Sequence, residues 1–360
     1  MVLWNCEEKK TQDCAGIIGG NNICGCTDSS SSNYNINATF DDGSCDTLQI
    51  FNSFIKNVSP ENDCGYSIDI KQTNDGGYII AGCNNENAWL MKINSNGNKE
   101  WEETYNLGDY WGNRTVIQSN DGGYLFAGWT GVLKTDENGT QEWVVKGVQG
   151  NNNQYPYYED IIEHSNGNFY LVGGPVTPRD ATGNSGQAIL VKINQSGTVK
   201  KTKFYGGNCE DDLFRALIES NDGKLIMVGE KGHGNQVYPC SFNFRYYKDI
   251  WVVKTGKNGA VIWEETYGGD WLEKGMDIVR KESGGYMVVG QKCSHKGNLG
   301  NCDSKTKAVI LDIDEEGNKL DETTLPGLYH YEAGTEMALE NTHSGGYVFA
   351  TEPSGNKDIW

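Results

Sequence analysis

No stretch of this 360-residue chain is apolar for long enough to cross a bilayer, which excludes a membrane-spanning helix as a sequence reading. Positive charge is scarce, with 30 Lys and Arg against 49 Asp and Glu, a formal net charge of −19 and a pI near 4.7. Such a surface repels nucleic acid and anionic membranes, and it favours solubility and cation association. Histidine is rare, and the 5 present (His164, His233, His295, His330 and His343) are not spaced as metal ligands. No Gly-x-Ser-x-Gly nucleophile elbow occurs. What the chain has in quantity is 47 glycines and 11% aromatic residues, a composition for turns and packed sheets rather than helices.

Those residues are organised in a repeat. Thr73–Gly82 reads TNDGGYIIAG, and versions of it return at Ser119–Gly128, Ser165–Gly173, Ser220–Gly229, Glu282–Gly290 and His343–Thr351. The first hydrophobic residue after the turn is Tyr78, Tyr124, Phe169, Leu225, Tyr286 and Tyr347 in the successive copies, a spacing that calls for an array or a propeller. Each copy has one inner grammar. An alternating run meets an Asn/Asp/Gly turn that supplies positive φ, and a second strand follows. After a variable connection come a third strand such as Ala88–Ile93, a second turn such as Asn94–Gly97, and a fourth strand such as Lys99–Tyr105, with Trp143 and Trp263 on later fourth strands. Four short antiparallel strands in six radial copies predict an all-β, six-bladed β-propeller.

The pattern in Asp75–Gly82, Trp89–Gly97 and Trp101–Tyr105, completed by Tyr267-Gly268-Gly269 in the fourth copy, resembles propeller repeats of secreted bacterial and archaeal proteins. The resemblance covers residues 46–360 and implies a fold, not an activity. Thr47–Lys56 reads as a strand without a local partner, and copy six stops inside its third strand at Trp360. The economical expectation is that the N-terminal strand completes the last blade and closes the ring, which removes exposed sheet edges. Seven blades is the alternative if the natural chain continues.

The 11 cysteines point to an oxidising compartment, because Cys24-x-Cys26 has the wrong spacing for zinc and no histidine lies nearby. Residues 1–10 form a tether: Leu3-Trp4-Asn5-Cys6 resembles the degenerate end of a bacterial lipobox, which implies a lipid anchor on Cys6 and an outer-surface location. Residues 11–45 form a small cassette that resembles Cys/Asp/Gly modules of marine bacterial surface proteins, too small to hold a core without staples. The expected pairs are Cys14–Cys24 and Cys26–Cys45 in the cassette, and Cys64–Cys83, Cys209–Cys240 and Cys293–Cys302 in residues 46–360. Asp28, Asp41 and Asp42 carry oxygens that suit Ca2+, but without calcium-loop spacing their ordinary reading is solvated turn carboxylates.

Two sets of residues are candidates for function. Blades three, four and five carry long second-to-third-strand connections, Gly174–Gln187, Glu230–Lys248 and Gln291–Lys307. With the inter-blade segments they would bring Trp111, Asp211, Asp212, Tyr238, Phe242, Phe244, Arg245, Tyr246, Tyr247, Trp271 and Glu273 to one face. Aromatics beside carboxylates suit sugar rings and protein partners alike. The second set is Asp69, Asp160 and Asp277, nine residues before the aligned aromatic in blades one, three and five, with Thr115, Ala216 and Ala338 in the others. Alternation turns them toward the axis as a quasi-threefold ring, where they would hold a cation or face channel water.

The turns resemble the Asp-boxes of sialidases, which are structural, and of five arginines only Arg114 and Arg215 fall in register. The sequence therefore reads as a non-catalytic extracellular binding scaffold for a glycan or surface protein. A glycosidase or lyase is the competing class, because two acids from different blades leave no sequence signature. Peptide mapping without reduction checks the cysteine expectations: linked peptides for all five pairs are expected, and a free thiol at any of these ten positions overturns that pair.

Overall fold

The computed structural model describes residues 12–18, 20–27, 34–45, 69–106, 113–128, 131–146, 156–175, 186–207, 212–232, 248–269, 272–293, 306–330, 337–342 and 346–351. The chain divides into two compact units, Met1–Lys56 and Asn57–Trp360. In the first, the short strands β1 (Cys24–Gly25) and β2 (Phe40–Asp41) pair in parallel. Disulfides Cys14–Cys24 and Cys26–Cys45 close this unit as the sequence predicts. Asp13 organises its first loop by accepting N–H bonds from Ala15, Ile17 and Asn22. Asp41 and Asp42 each accept an N–H two residues on, as turn carboxylates do.

The second unit consists of antiparallel sheets in sequence order. Blade one is β3 (Asp69–Gln72), β4 (Tyr78–Asn84), β5 (Asn87–Ile93) and β6 (Lys99–Tyr105). Blade two is β7 (Asn113–Gln118), β8 (Tyr124–Gly128), β9 (Gly131–Thr135) and β10 (Gln141–Lys146). Blade three is β11 (Pro156–Glu163), β12 (Phe169–Pro175), β13 (Ala188–Ile193) and β14 (Val199–Tyr205). Blade four is β15 (Leu213–Glu219), β16 (Leu225–Gly232), β17 (Lys248–Thr255) and β18 (Val261–Tyr267). Blade five is β19 (Glu273–Arg280), β20 (Tyr286–Cys293), β21 (Thr306–Ile313) and β22 (Lys319–His330). Of blade six, β23 (Met337–Asn341) and β24 (Tyr347–Thr351) are described. Residues from all six inner strands line one central cavity, which makes the unit a six-bladed propeller. The expected closing strand, residues 47–56, lies outside the described residues.

Each blade packs on its predecessor through apolar residues of the inner strand. Val116, Leu217 and Ile278 bury against the second and third strands of the preceding blade, for example Val116 against Ile79, Ala81 and Leu90. Ile70, expected to behave alike, is 52% exposed, and Val348, at the position of Ile79 in blade six, is 57% exposed. These are the two residues that the same packing would join between blade six and blade one.

The repeat's conserved-looking letters are blade-to-blade contacts. Trp101, Trp143 and Trp263 on the fourth strands lie flat on Gly139, Gly197 and Gly317 in the next blade's second turn. A Cβ there would come within 2.9, 2.8 and 3.0 Å of the indole, and positive φ at each already favours glycine. Four residues beyond Trp101 and Trp263, Tyr105 and Tyr267 donate hydroxyls to the carbonyls of Gly139 and Gly317, at 2.6 and 2.5 Å, and Tyr205 donates likewise to Gly259 at 2.8 Å.

The first turns of blades one, two and four share a lock. Thr73, Ser119 and Ser220 donate hydroxyls to Asp75, Asp121 and Asp222, each at 2.5 Å. Buried lysines of the third strand, Lys92 and Lys134, reach Asp75 and Asp121 at 2.9 Å, and Lys254 approaches Asp222 at 3.7 Å. Bonds from Thr73 and Lys92 hold the Asp75 carboxyl far below the usual range. Blade five inverts this lock. Lys281 stands at the Thr73 position and Asp312 at the Lys92 position, and the two form an ion pair.

Replacing Asp312 by Lys puts two ammonium groups at one turn, and unfolding midpoints in urea are expected to report a loss of about 2 kcal/mol. Adding Lys281→Thr and Ser283→Asp, which rebuilds the lock of blade one, is expected to restore most of that loss.

Candidate functional site

The site is the central cavity, of about 580 Å³. Its lining depends on a β-bulge in the inner strand of each of blades two to five, where the register skips Arg114, Glu159, Arg215 and Met276. A bulge re-aims the extra side chain. Glu159, Arg215 and Met276 consequently border the cavity, beside Tyr157, Asp160 and Asp277. The glycine that ends the repeat makes room for the bulge. A Cβ at Gly173, Gly229 or Gly290 would fall 2.0, 1.9 or 2.4 Å from the carbonyl oxygen of Tyr157, Leu213 or Lys274. Sequence alternation gives no bulge; the signal for one was the pair of arginines in register, Arg114 and Arg215.

The quasi-threefold carboxylates are where the sequence places them, on the inner strands, and what they hold is backbone. Asp69, Asp160 and Asp277 each accept the N–H of their own following residue, Ile70, Ile161 or Ile278, through one oxygen. Through the other they accept an N–H from the next blade: Val116 at 2.8 Å, Leu217 at 2.8 Å and Leu339 at 2.7 Å. Their facing cation is Lys71, whose amine is held above its ordinary value because Asp69, Asp160, Glu340 and Asp277 outweigh the burial that opposes its charge. Lys71 also lies 3.9 Å from Glu340, spanning blade one to blade six. Among the described residues, no group of three or more His, Cys, Asp or Glu side chains is arranged to hold a metal ion. Burial raises Asp160 to about 7 and Asp277 to about 6, against the N–H bonds that favour their ionised forms.

Arg215, which borders the cavity, belongs to a concentration of charge. Glu230, 3% exposed, is approached by Lys248 at 2.5 Å, Arg215 at 3.3 Å and Lys274 at 3.8 Å. Burial alone would raise the Glu230 carboxyl, but the three cations hold it far below its usual range. Lys248 opens β17 opposite Gly232, so this network stands at the foot of the connection 233–247. Lys281, Lys92 and the other turn cations belong to the blade locks and not to this network.

Of the residues expected on the loop face, Asp212 and Glu273 are described, and both are drawn inside, each 2% exposed. Asp212 is a clasp: its oxygens accept the N–H groups of Gly207 and Gly232, both at 2.9 Å, which corrects its reading as a ligand contact. Glu273 holds the equivalent place in blade five, where burial and the neighbouring Asp249 raise it to about 7. Trp111, Asp211, Tyr238, Phe242, Phe244, Arg245, Tyr246, Tyr247 and Trp271 lie outside the described residues. So do Cys6, Cys64, Cys209, Cys240 and Cys302, and the side chain of Cys293; Cys83 is disulfide-bonded.

No family model matches the chain, and no curated protein does. Solved structures do. A Bacteroides caccae protein of unknown function aligns at 12% identity over 81% of this chain and 84% of its own, with a TM-score of 0.44. The Neurospora crassa Pan2 WD40 domain aligns at 9% identity over 78% and 84%, TM-score 0.42. An endo-arabinase from Bacteroides thetaiotaomicron aligns at 11% identity over 82% and 91%, TM-score 0.40. Likeness of this order carries no activity across, and the fold stands on the sheet order and the shared cavity.

The raised carboxyls make a pH prediction. In the unfolded chain an Asp releases its proton near pH ~3.9, whereas folded Asp160 and Asp277 keep theirs to about 7 and about 6. The folded state therefore binds more protons in that window, so the contribution of these groups to stability falls as pH rises from about 4 to about 7. Asp160→Asn removes one titration and one N–H acceptor. Urea unfolding is expected to show a loss of about 1–3 kcal/mol at about pH 4 and a shallower decline toward pH 7. An unchanged decline in the variant would rule out Asp160 as its source.

Proposed function

We propose that the chain is an extracellular, non-catalytic binding scaffold that takes a glycan or a surface protein on the face bearing the long connections of blades three to five. The observation that carries this reading is the cationic network of Arg215, Lys248 and Lys274 around Glu230, of which Arg215 borders the cavity. It stands at the foot of the connection that brings Tyr238, Phe242, Phe244, Tyr246 and Tyr247 in sequence. Pre-placed donors beside aromatic side chains are what a binding site for polar rings requires. The disulfides Cys14–Cys24 and Cys26–Cys45 support an oxidising, extracellular setting, with Cys6 as the lipid-bearing tether.

A carbohydrate-active enzyme is the second reading, favoured by one observation: Asp160 and Asp277 border the same cavity and both are raised toward neutral pH. Against it, both oxygens of each carboxylate are engaged by backbone N–H groups, one from its own strand and one from the next blade.

A glycan array probed with the purified chain, with and without calcium, is expected to give a specific hit lost in Tyr246→Ala or Trp271→Ala. Release of reducing sugar from the glycan that binds would move the protein to the second reading. A silent array in both conditions would leave a protein partner, sought next by pull-down from cell-surface extract.

A further inference from the structure

In blades one, two and four the third-strand lysine at the outer corner is neutralised by carboxylates. Lys92 meets Asp75 at 2.9 Å and Glu100 at 2.8 Å, and Lys134 meets Asp121 at 2.9 Å and Glu142 at 3.1 Å. Lys254 meets Glu315 at 3.0 Å. Blade three departs from this at each position. Its third-strand lysine, Lys192, stands opposite Lys201 where Lys92 stands opposite Trp101. Lys200 takes the place of Glu100, Lys203 that of Glu103, and Asn166 that of Asp75.

Among the described residues, Lys192, Lys200, Lys201 and Lys203 make no ion pair. Lys192 lies over the Tyr170 ring, Lys203 donates to the carbonyl of Gly259 at 2.5 Å, and Lys200 and Lys201 are exposed. The acids that end β11 and β15 are taken up elsewhere. Glu163 accepts from Asn120 and Gln195, and Glu219 accepts the N–H and hydroxyl of Ser165. Like charges directly opposite on a sheet cost stability. Four unpaired ammonium groups on two adjacent strands of a chain with net charge −19 therefore call for a reason beyond the fold.

We propose that the missing counter-charge is a polymer: the β13–β14 edge of blade three binds an anionic polysaccharide. The lysines form an open strip along two strands, which suits a chain with charges strung along it. Lys201 and Lys203 share one face of β14 about 7 Å apart, two residues of strand rise. Ammonium groups are point charges without a fork, so they read charge density and not the shape of one group. Duplex nucleic acid, with about one charge per 1.7 Å, is the poorer match for four lysines among 49 acids. The choice of a polysaccharide rests on the extracellular setting read above. The strip itself is separate from the long-connection face, because it adjoins the second turn, 194–198, at the other end of β13.

Isothermal titration calorimetry of the intact chain with oligogalacturonate, dextran sulfate and neutral dextran tests this. Binding of either charged polymer supports the inference, and the tighter of the two names the charged group. The affinity is expected to fall about tenfold or more between ~50 and ~200 mM salt. Lys200→Gln combined with Lys201→Gln is expected to weaken binding at least about tenfold. Its urea unfolding midpoint should not fall, because the change removes a like-charge pair. Lys99→Gln combined with Lys319→Gln removes as much charge from amines already paired with Glu102 and Glu322. That control is expected to leave binding within about twofold. Equal loss in both double variants overturns the strip, since binding would then follow net charge alone. Neutral dextran binding as tightly, or no binding by either charged polymer at low salt, overturns the inference and leaves the array test of the long-connection face untouched. Duplex DNA that displaces the polymer at lower concentration overturns the polysaccharide in favour of nucleic acid.

Discussion

Everything in the propeller depends on hydrogen bonds that one blade lends to the next. A four-stranded sheet satisfies its own backbone, but a bulge in the inner strand leaves N–H groups without ladder partners. Asp69, Asp160 and Asp277 each accept an inner-strand N–H of the following blade, joining their own blade to its successor. At the outer edge the tyrosines of the fourth strands do the corresponding job on glycine carbonyls. Apolar clusters fill the successive blade junctions, from Ile79 and Val116 between blades one and two to Val289 and Leu339 between blades five and six. The bulges of the inner strands deliver Glu159 and Arg215 to the cavity.

Most of the architecture was legible in the sequence because its signals are local. Turn chemistry at Asn74-Asp75-Gly76, alternation along each strand and the Trp/Tyr rhythm of the fourth strands depend only on neighbours along the chain. The ring of three aspartates was legible too, from position alone, but its occupant was not. A carboxylate that faces an axis reads as a cation ligand until the N–H groups of the next blade are seen, and those are 47, 57 and 62 residues away in sequence. Asp212 was misread for the same reason, since the amide of Gly232 that holds it is twenty residues on. Of Glu230 and its three cations only Arg215 left a trace, its register with Arg114, because the four residues come from different strands or strand ends.

Blade five shows how freely such a repeat can vary once its geometry is fixed. The lock of the first turn pairs an acid with an amine, and blade five makes that pair from the Thr73 and Lys92 positions, with Lys281 and Asp312. Blade three dispenses with the aspartate altogether: His164 and Asn166 occupy the turn, and the His164 imidazole reaches the carbonyl of Gly223 in blade four at 3.0 Å.

The aspartate clasp occurs on blades one, three and five, and the strands of blades two, four and six that donate N–H groups to it carry Thr115, Ala216 and Ala338 instead. The true structural period is thus two blades, a donor of carboxylate followed by a receiver. A ring with such a period has a parity. It meets itself without a fault only when the number of blades is even, because an odd count would set two receivers, or two donors, side by side at one junction. Growth or loss by duplication would then proceed by pairs, and a single added blade would announce itself as one seam unlike all the others.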